Sequence, residues 1–161
     1  MRNGLSKDLI ARVLGGAPKY TLDELEAKFP QRQLPEGAFV TRFAPSPTGY
    51  MHLGGLYSAL IDYKLAKQSG GSFLLRIEDT DTKREIKEAV DIIINSLAKF
   101  GIKNDNDEIY GPYYQSKRKD IYHSVVAHLL EKGLAYPCFL TQEEMDAIRE
   151  KQKLAGLATG I

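Results

Sequence analysis

The sequence predicts an α/β fold in which parallel strands alternate with helices, and three observations point to it. Residues 39–43, Phe-Val-Thr-Arg-Phe, read as a short strand. They run through a Pro- and Gly-rich loop into a segment with apolar residues at helical spacing. A second apolar run, 73–77, ends in an acidic turn and leads into another helical stripe.

Each element has a local reason. In residues 1–38, a helical prefix, positions 7–14 are amphipathic and stop at Gly15-Gly16-Ala17-Pro18. Thr21 with Glu24 is a capping-box pattern that opens a second short helix, and Pro30 closes it. After the strand at 39–43, Leu53, Leu56, Tyr57, Leu60, Ile61 and Leu65 predict one inward stripe of a helix, which Ser69-Gly70-Gly71 stops. A helix over 84–100 is expected to bury Ile86, Val90, Ile93, Leu97 and Phe100, with Gly101 as its cap. Residues 103–114 read as a polar loop. A helix over 116–132 is expected to turn Tyr122, Val125, Val126, Leu129 and Leu130 inward. Residues 134–139 read as a further strand. Thr141 and Glu144 form a second capping box before a last helix.

Composition excludes more than it identifies. With 161 residues, 43% hydrophobic and 27% charged, the chain can bury one domain core. A net charge of +1 gives no general basic surface, so any nucleic-acid contact must come from local residues. The one cysteine, Cys138, can form neither an internal disulfide nor a multi-thiolate zinc site, which fits a reducing compartment. No stretch approaches the ~20 apolar residues of a membrane span. The expectation is a soluble, cytoplasmic protein with no membrane association and no zinc.

Two segments carry chemistry. In the first, 42–55, Pro45 and Pro47 stiffen the loop, while Gly49, Gly54 and Gly55 permit close approach of a ligand or backbone. The helix then starts near His52. Helix N-termini attract anions, and a histidine there can donate to phosphate oxygens as charge builds on them. The plainer alternative is a turn before a packed helix, with His52 acting as its cap. In the second, 75–81, the acidic turn follows the second strand. Parallel sheets bind ligands beyond their carboxyl ends. Arg42 and Glu78 are therefore expected at one crevice, a cation for a carboxylate and a carboxylate for an amino group, as an amino acid requires. A metal site of Glu78, Asp79 and Asp81, or a solvated turn, are the alternatives.

These motifs resemble the bacterial-type glutamyl-tRNA synthetases, a class I aminoacyl-tRNA synthetase family. The resemblance rests on Arg42-Phe43-Ala44-Pro45-Ser46-Pro47-Thr48-Gly49, His52-Leu53-Gly54-Gly55 and Arg76-Ile77-Glu78-Asp79-Thr80-Asp81. The segments 111–118 and 133–136 match as well, so it covers about residues 38–155. Ala44, Ser46, Gly55, Glu78 and Asp81 favour the bacterial glutamyl group over glutaminyl and archaeal-type enzymes. The enzymes that glutamylate a tRNA base usually carry a cysteine-rich site, of which only Cys138 is present here.

The resemblance implies the first half of a Rossmann-like catalytic domain over 39–112, leading into the tRNA acceptor-binding insertion over 113–161. It implies ATP-dependent activation of L-glutamate to glutamyl-adenylate and transfer to the 3′ end of tRNA(Glu), with Mg²⁺ carried by ATP. His52 and Thr48 become catalytic candidates. Pro45, Ser46, Pro47, Thr48, Gly49, His52, Gly54 and Gly55 form the ATP loop. Arg42, Phe43, Ala44, Pro45, Ser46 and Glu78 line the glutamate pocket, while Asp79 and Asp81 brace the turn. Tyr114, Gln115, Lys117 and Arg118, flanked by Tyr113 and Lys119, contact the tRNA acceptor. A solvated helix start with two packing tyrosines is the alternative there, and His123 and His128 read as ordinary helix residues.

The full-length enzyme is expected to be a monomer. The second, lysine-rich signature of the family is not among these residues, so the chain is expected to be a fragment. A non-catalytic piece with partial ATP and glutamate binding is the rival reading. An open sheet edge and uncovered helix stripes are expected of it.

Overall fold

The computed structural model describes residues 4–49, 51–81 and 88–160. Its centre is a parallel pair of strands, β1 (Val40–Phe43) and β2 (Ser72–Leu75), joined by the helix α3 (Leu53–Gln68). The register pairs Val40 with Ser72 and Phe43 with Leu75. A strand–helix–strand crossover is the connection that parallel pairing requires. The remaining helices are α1 (Lys7–Leu14), α2 (Leu22–Lys28), α4 (Ala89–Lys99), α5 (Lys119–Glu131) and α6 (Gln142–Leu154), with a 3₁₀ turn over Gln115–Arg118 before α5.

The far edge of β2 is closed by side chains rather than by another strand. The Asp105 carboxylate accepts from Phe73 N–H at 2.8 Å, and the Asp105 N–H donates to the Phe73 carbonyl at 2.8 Å. The Asn106 amide accepts from Leu75 N–H at 3.0 Å and donates to Leu75 O at 2.7 Å. An amide side chain thus reproduces the ladder of a missing neighbour. Lys67 pairs with the Asp105 carboxylate at 2.6 Å and fixes it to α3. Beyond β1 no strand follows among the described residues, and Val40 is exposed. The expected open edge is therefore found on one side only.

The main core gathers Ala59, Ala66, Phe73, Leu75, Ile77, Ile93, Leu97 and Ile102, with Leu56, Tyr63, Val90 and Phe43 packed against it. Here the sequence stripe on α3 is corrected. Ala59 and Ala66 face the sheet at 0% exposure, while Leu53 is 80% exposed and Tyr57, Leu60, Ile61 and Leu65 also face outward. The alanines let the helix backbone lie close to the strands, so the large apolar residues occupy the opposite face. In α4, Ile93 and Leu97 are buried as expected, but Phe100 lies past the helix end and is 65% exposed. Arg84 and Ile86 lie outside the described residues.

A second, smaller core joins the prefix to α5. Ile10 packs with Ala127 and Leu130, with Leu5, Leu14 and Ala135 around them. The inward face of α5 is Ser124, Ala127 and Leu130; Tyr122, Val125 and Val126 are exposed, contrary to the stripe read from the sequence. Backbone contacts reinforce this joint. Leu5 N–H donates to Leu130 O at 3.0 Å, satisfying a carbonyl of the last turn of α5. Tyr20 N–H donates to Ser124 Oγ at 3.1 Å. His123 Nε2 lies 2.9 Å from Leu14 O, a packing role in the helix.

Both capping boxes are present, at Thr21/Glu24 and Thr141/Glu144. The strand expected over 134–139 does not form. Among the described residues that stretch joins no strand and runs as coil, with Leu134, Tyr136 and Phe139 exposed.

These placements separate two substitutions at positions that the sequence reads alike as apolar and inward. Phe73→Ala, which removes a fully buried ring in edge contact with Tyr63 at 5.7 Å between centroids, is expected to cost ~3–5 kcal/mol. Leu53→Ser is expected to stay within about 0.5 kcal/mol. Urea denaturation of the two variants checks both.

Candidate active site

The carboxyl ends of β1 and β2 continue their hydrogen bonding beyond the strands. Arg76 N–H donates to Phe43 O at 3.0 Å and Glu78 N–H to Pro45 O at 3.0 Å. The loop after β1 and the turn after β2 are thereby sewn together. Arg42, on β1, then meets Glu78: its Nη1 lies 3.1 Å from Glu78 Oε1. Arg76 Nη2 reaches the same oxygen at 2.7 Å. Two guanidinium groups on one carboxylate hold Glu78 below the ordinary glutamate value of 4.5; the Arg76 hydrogen bond dominates, and it and Arg42 outweigh the opposing effect of burial. Asp62, on α3, also feels Arg42; burial pushes its carboxyl up, against the pull of that cation.

Arg76 is the residue that sequence reasoning left without a role. The available signal was its spacing: Arg76 and Glu78 are two apart in an extended segment and so share a face. Its Nε is buried without a protein partner.

Asp79 turns the other way. Its carboxylate accepts from Ser116 N–H at 2.8 Å and Ser116 Oγ–H at 2.6 Å. Burial opposes its charged form, but the Ser116 bonds outweigh that and lower its pKa. Glu78 and Asp79 thus serve different neighbours. Among the described residues no group of three or more His, Cys, Asp or Glu side chains is placed to hold a metal ion.

The second part of the site is the N-terminus of α3. His52 is its N-cap, with extended φ −95° and ψ 166°, and its Nδ1 accepts from Gly55 N–H at 3.2 Å. The cap alternative raised from the sequence is therefore what the ring does, and it also has a chemical consequence. With Nδ1 used as acceptor, the neutral ring carries its proton on Nε2. The ring is exposed, so that Nε2–H can donate to an anion. Gly54 has a related role. A Cβ there would meet the His52 ring at 3.1 Å, tighter than ordinary packing, so glycine leaves room for the capping ring. At Gly55 a Cβ would meet only Phe43 and Met51, at 3.7 and 3.9 Å, so glycine there leaves open volume.

A cavity of about 310 Å³ lies beside this helix start, lined by Phe43, Pro45, Ser46, Thr48, Gly49, Met51, His52, Gly55 and Ile93. It brings together most of the loop singled out from the sequence. Pro47 is fully buried and anchors the loop from beneath, and Gly54 lies on the exposed first turn of α3. Thr48 and Ser46 line the cavity.

The segment after the polar loop is tied to the same strand end. Ile77 N–H donates to Tyr113 O and Gln115 N–H to Ile77 O, both at 2.9 Å. Lys117 Nζ stands over the Tyr114 ring at 4.8 Å. Arg118 points inward: its Nη1 donates to Pro112 O at 2.9 Å, and its guanidinium lies 5.8 Å from the Phe29 ring.

The parallel α/β crevice thus has an ion-paired carboxylate on one side and a helix N-terminus on the other. The model of the family "tRNA synthetases class I (E and Q), catalytic domain" matches residues 38–159, and the chain belongs to that family. It is 49% identical over 161 residues to the glutamate–tRNA ligase of Clostridium perfringens, covering 95% of this chain and 29% of that protein. The glutamate-tRNA synthetase structure from Elizabethkingia anophelis superposes with a TM-score of 0.67 at 43% identity, over 75% of this chain and 25% of that one. A glutamate tRNA ligase structure from Elizabethkingia meningosepticum, in complex with its amino acid, gives 0.66 at 44% identity, over 76% and 25%. The chain therefore spans less than a third of the length of these relatives.

The lowered Glu78 pKa sets a pH dependence. A carboxyl depressed by folding contributes stability above its unfolded value and loses it as pH falls through the folded one. Glu78→Gln is expected to be less stable than the unsubstituted chain at pH 7, and the deficit to shrink below pH 4.5. Urea midpoints across pH 3–7 check the direction.

Proposed function

We propose that this chain forms the glutamate- and ATP-binding part of a glutamate–tRNA ligase. The observation that carries the reading is the Arg42–Glu78 pair at the sewn strand ends, beside the His52-capped start of α3. A zwitterionic amino acid can replace that internal ion pair with two of its own. Its ammonium takes Glu78, which Arg76 keeps ionised, and a carboxylate takes Arg42. The α-carboxylate must stay free to react, so Arg42 suits the side-chain carboxylate of L-glutamate.

ATP, with its Mg²⁺, is the co-substrate. In the proposed reaction an α-carboxylate oxygen attacks the α-phosphorus and the bond to the β-phosphate bridging oxygen breaks. The products are glutamyl-adenylate and pyrophosphate. A terminal ribose hydroxyl of tRNA(Glu) then attacks the acyl carbon and releases AMP. The His52 Nε2–H and the helix N-terminus would stabilise charge developing on the phosphate, with Thr48 and Ser46 lining the same cavity. No covalent enzyme intermediate is needed, so positioning and electrostatics do the work.

The proposal keeps the division of the chain into 1–38, a catalytic part over 39–112 and an acceptor-facing part over 113–161. In the last, the Tyr114–Lys117 pair offers a ring for an unpaired base and a cation for phosphate. Arg118 supports this segment from within, through its bond to the Pro112 carbonyl. A cytoplasmic, monomeric enzyme that uses no zinc completes the reading; metal analysis of protein purified without chelator, finding one zinc per chain, would contradict the last point.

The test is glutamate-dependent ATP–pyrophosphate exchange by a ligase of the relatives' length carrying this sequence. His52→Ala is expected to lower the exchange rate by about 10²–10³ while the circular-dichroism spectrum is unchanged. An unaltered rate would remove His52 from the chemistry.

A further inference from the structure

We propose that Arg32, which lies outside the matched catalytic domain, is a positioning residue for the acceptor-facing segment, holding residues 113–117 against the Ile77–Asp79 strand end. The proposal rests on the reading of 113–117 as the RNA-facing part of the site.

Arg32 follows α2 and is drawn into the body of the protein; its side chain is only 17% exposed. Its guanidinium makes three contacts with one turn. Its Cζ lies over the Tyr110 ring, 3.7 Å from the centroid. Nη1 pairs with Asp107 Oδ2 at 3.2 Å. Nη2 donates to the Tyr113 hydroxyl oxygen at 3.4 Å. Asp107 is itself woven into the turn, accepting from Tyr110 N–H at 3.0 Å and donating its own N–H to the Tyr113 hydroxyl at 3.3 Å.

Tyr113 is the strut. At its ring end it is held by Arg32 and Asp107. At its backbone end its carbonyl accepts from Ile77 N–H at 2.9 Å, one residue before Glu78. Ser116, bonded to Asp79, anchors the far end of the strip. Losing the guanidinium would remove the ion pair of Asp107 and one of the two bonds to the Tyr113 hydroxyl, so the ring end of the strut would be held by the Asp107 N–H alone, with the backbone end still bonded to 77–79. A lysine could pair with Asp107, but it has no delocalised guanidinium to set over the Tyr110 ring and no planar fork to reach two partners. The residue type therefore matters beyond its charge.

The experiment uses the 161-residue chain in unsubstituted, Arg32→Ala, Arg32→Lys and Lys19→Ala forms. Lys19 belongs to the same prefix and pairs with Asp120 on the surface, so its removal costs the same charge elsewhere. The first readout is amide hydrogen exchange. In Arg32→Ala and Arg32→Lys the amides of Ile77, Gln115 and Ser116 are expected to exchange about tenfold faster, with those of α5 unchanged. Unchanged protection at these three amides overturns the proposal.

The second readout is binding of a synthetic RNA hairpin with a single-stranded CCA end, followed by fluorescence anisotropy. Arg32→Ala and Arg32→Lys are expected to bind about fivefold or more weakly, and Lys19→Ala like the parent. Equal losses in Arg32→Ala and Lys19→Ala, or full binding by Arg32→Lys, would mean that Arg32 acts as a charge and would overturn positioning. If the unsubstituted chain does not bind the hairpin, the RNA-facing reading falls, and the exchange data alone decide whether Arg32 holds the strip.

Discussion

The structure depends on the parallel ladder between β1 and β2 and on its continuation past the strand ends. The bonds from Arg76 to Phe43 and from Glu78 to Pro45 prevent the loop and the turn from separating. Without them Arg42 and Glu78 would sit on independent loops, and an ion pair at the surface would be too weak to bring them together. With them, two oppositely charged groups already face one crevice before a ligand arrives. Preorganisation of this kind is what a site needs if binding energy is to be used for positioning.

The ladder is short, and the remaining elements exist largely to keep it in place. Asp105 and Asn106 stand in for a neighbouring strand along β2. Ala59 and Ala66 bring α3 close enough that its N-terminus opens beside the strand ends. Pro47 is buried under the loop between them. The prefix closes a second core against α5 and reaches the site's flank through Arg32. The outward apolar face of α3 belongs to the same logic: the small residues are spent on the sheet, which leaves Leu53, Tyr57 and Leu65 on the opposite side.

Much of this was legible in the sequence where the cause is local. The capping boxes at Thr21 and Thr141, the stop at Gly15 and the strand–loop–helix order follow from nearest-neighbour chemistry. So did the placing of Arg42 and Glu78 at one crevice, because parallel topology puts strand ends side by side; that they pair with each other did not. What was not legible depends on distant partners. The inward faces of α3 and α5 carry alanine and serine, which a count of large apolar residues passes over. Residues 134–139 have strand-like composition but run as coil, joining no strand among the described residues. The edge mimicry of Asp105 and Asn106 and the reach of Arg32 across to Tyr113 leave no periodic trace. Arg76 was readable in principle from its spacing to Glu78, but its role shows only when both arginines are seen on one oxygen.

The central claim is that the Arg42–Glu78 pair opens to receive a zwitterionic amino acid. The most direct measurement is an NMR titration of the ¹⁵N-labelled chain with L-glutamate and, separately, with N-acetyl-L-glutamate, whose amino group cannot be charged. The account predicts amide shifts centred on Arg42 to Ser46 and Ile77 to Asp79 with L-glutamate, and none of comparable size with the acetylated compound. Equal responses to both ligands, or shifts confined to other parts of the chain, would contradict it.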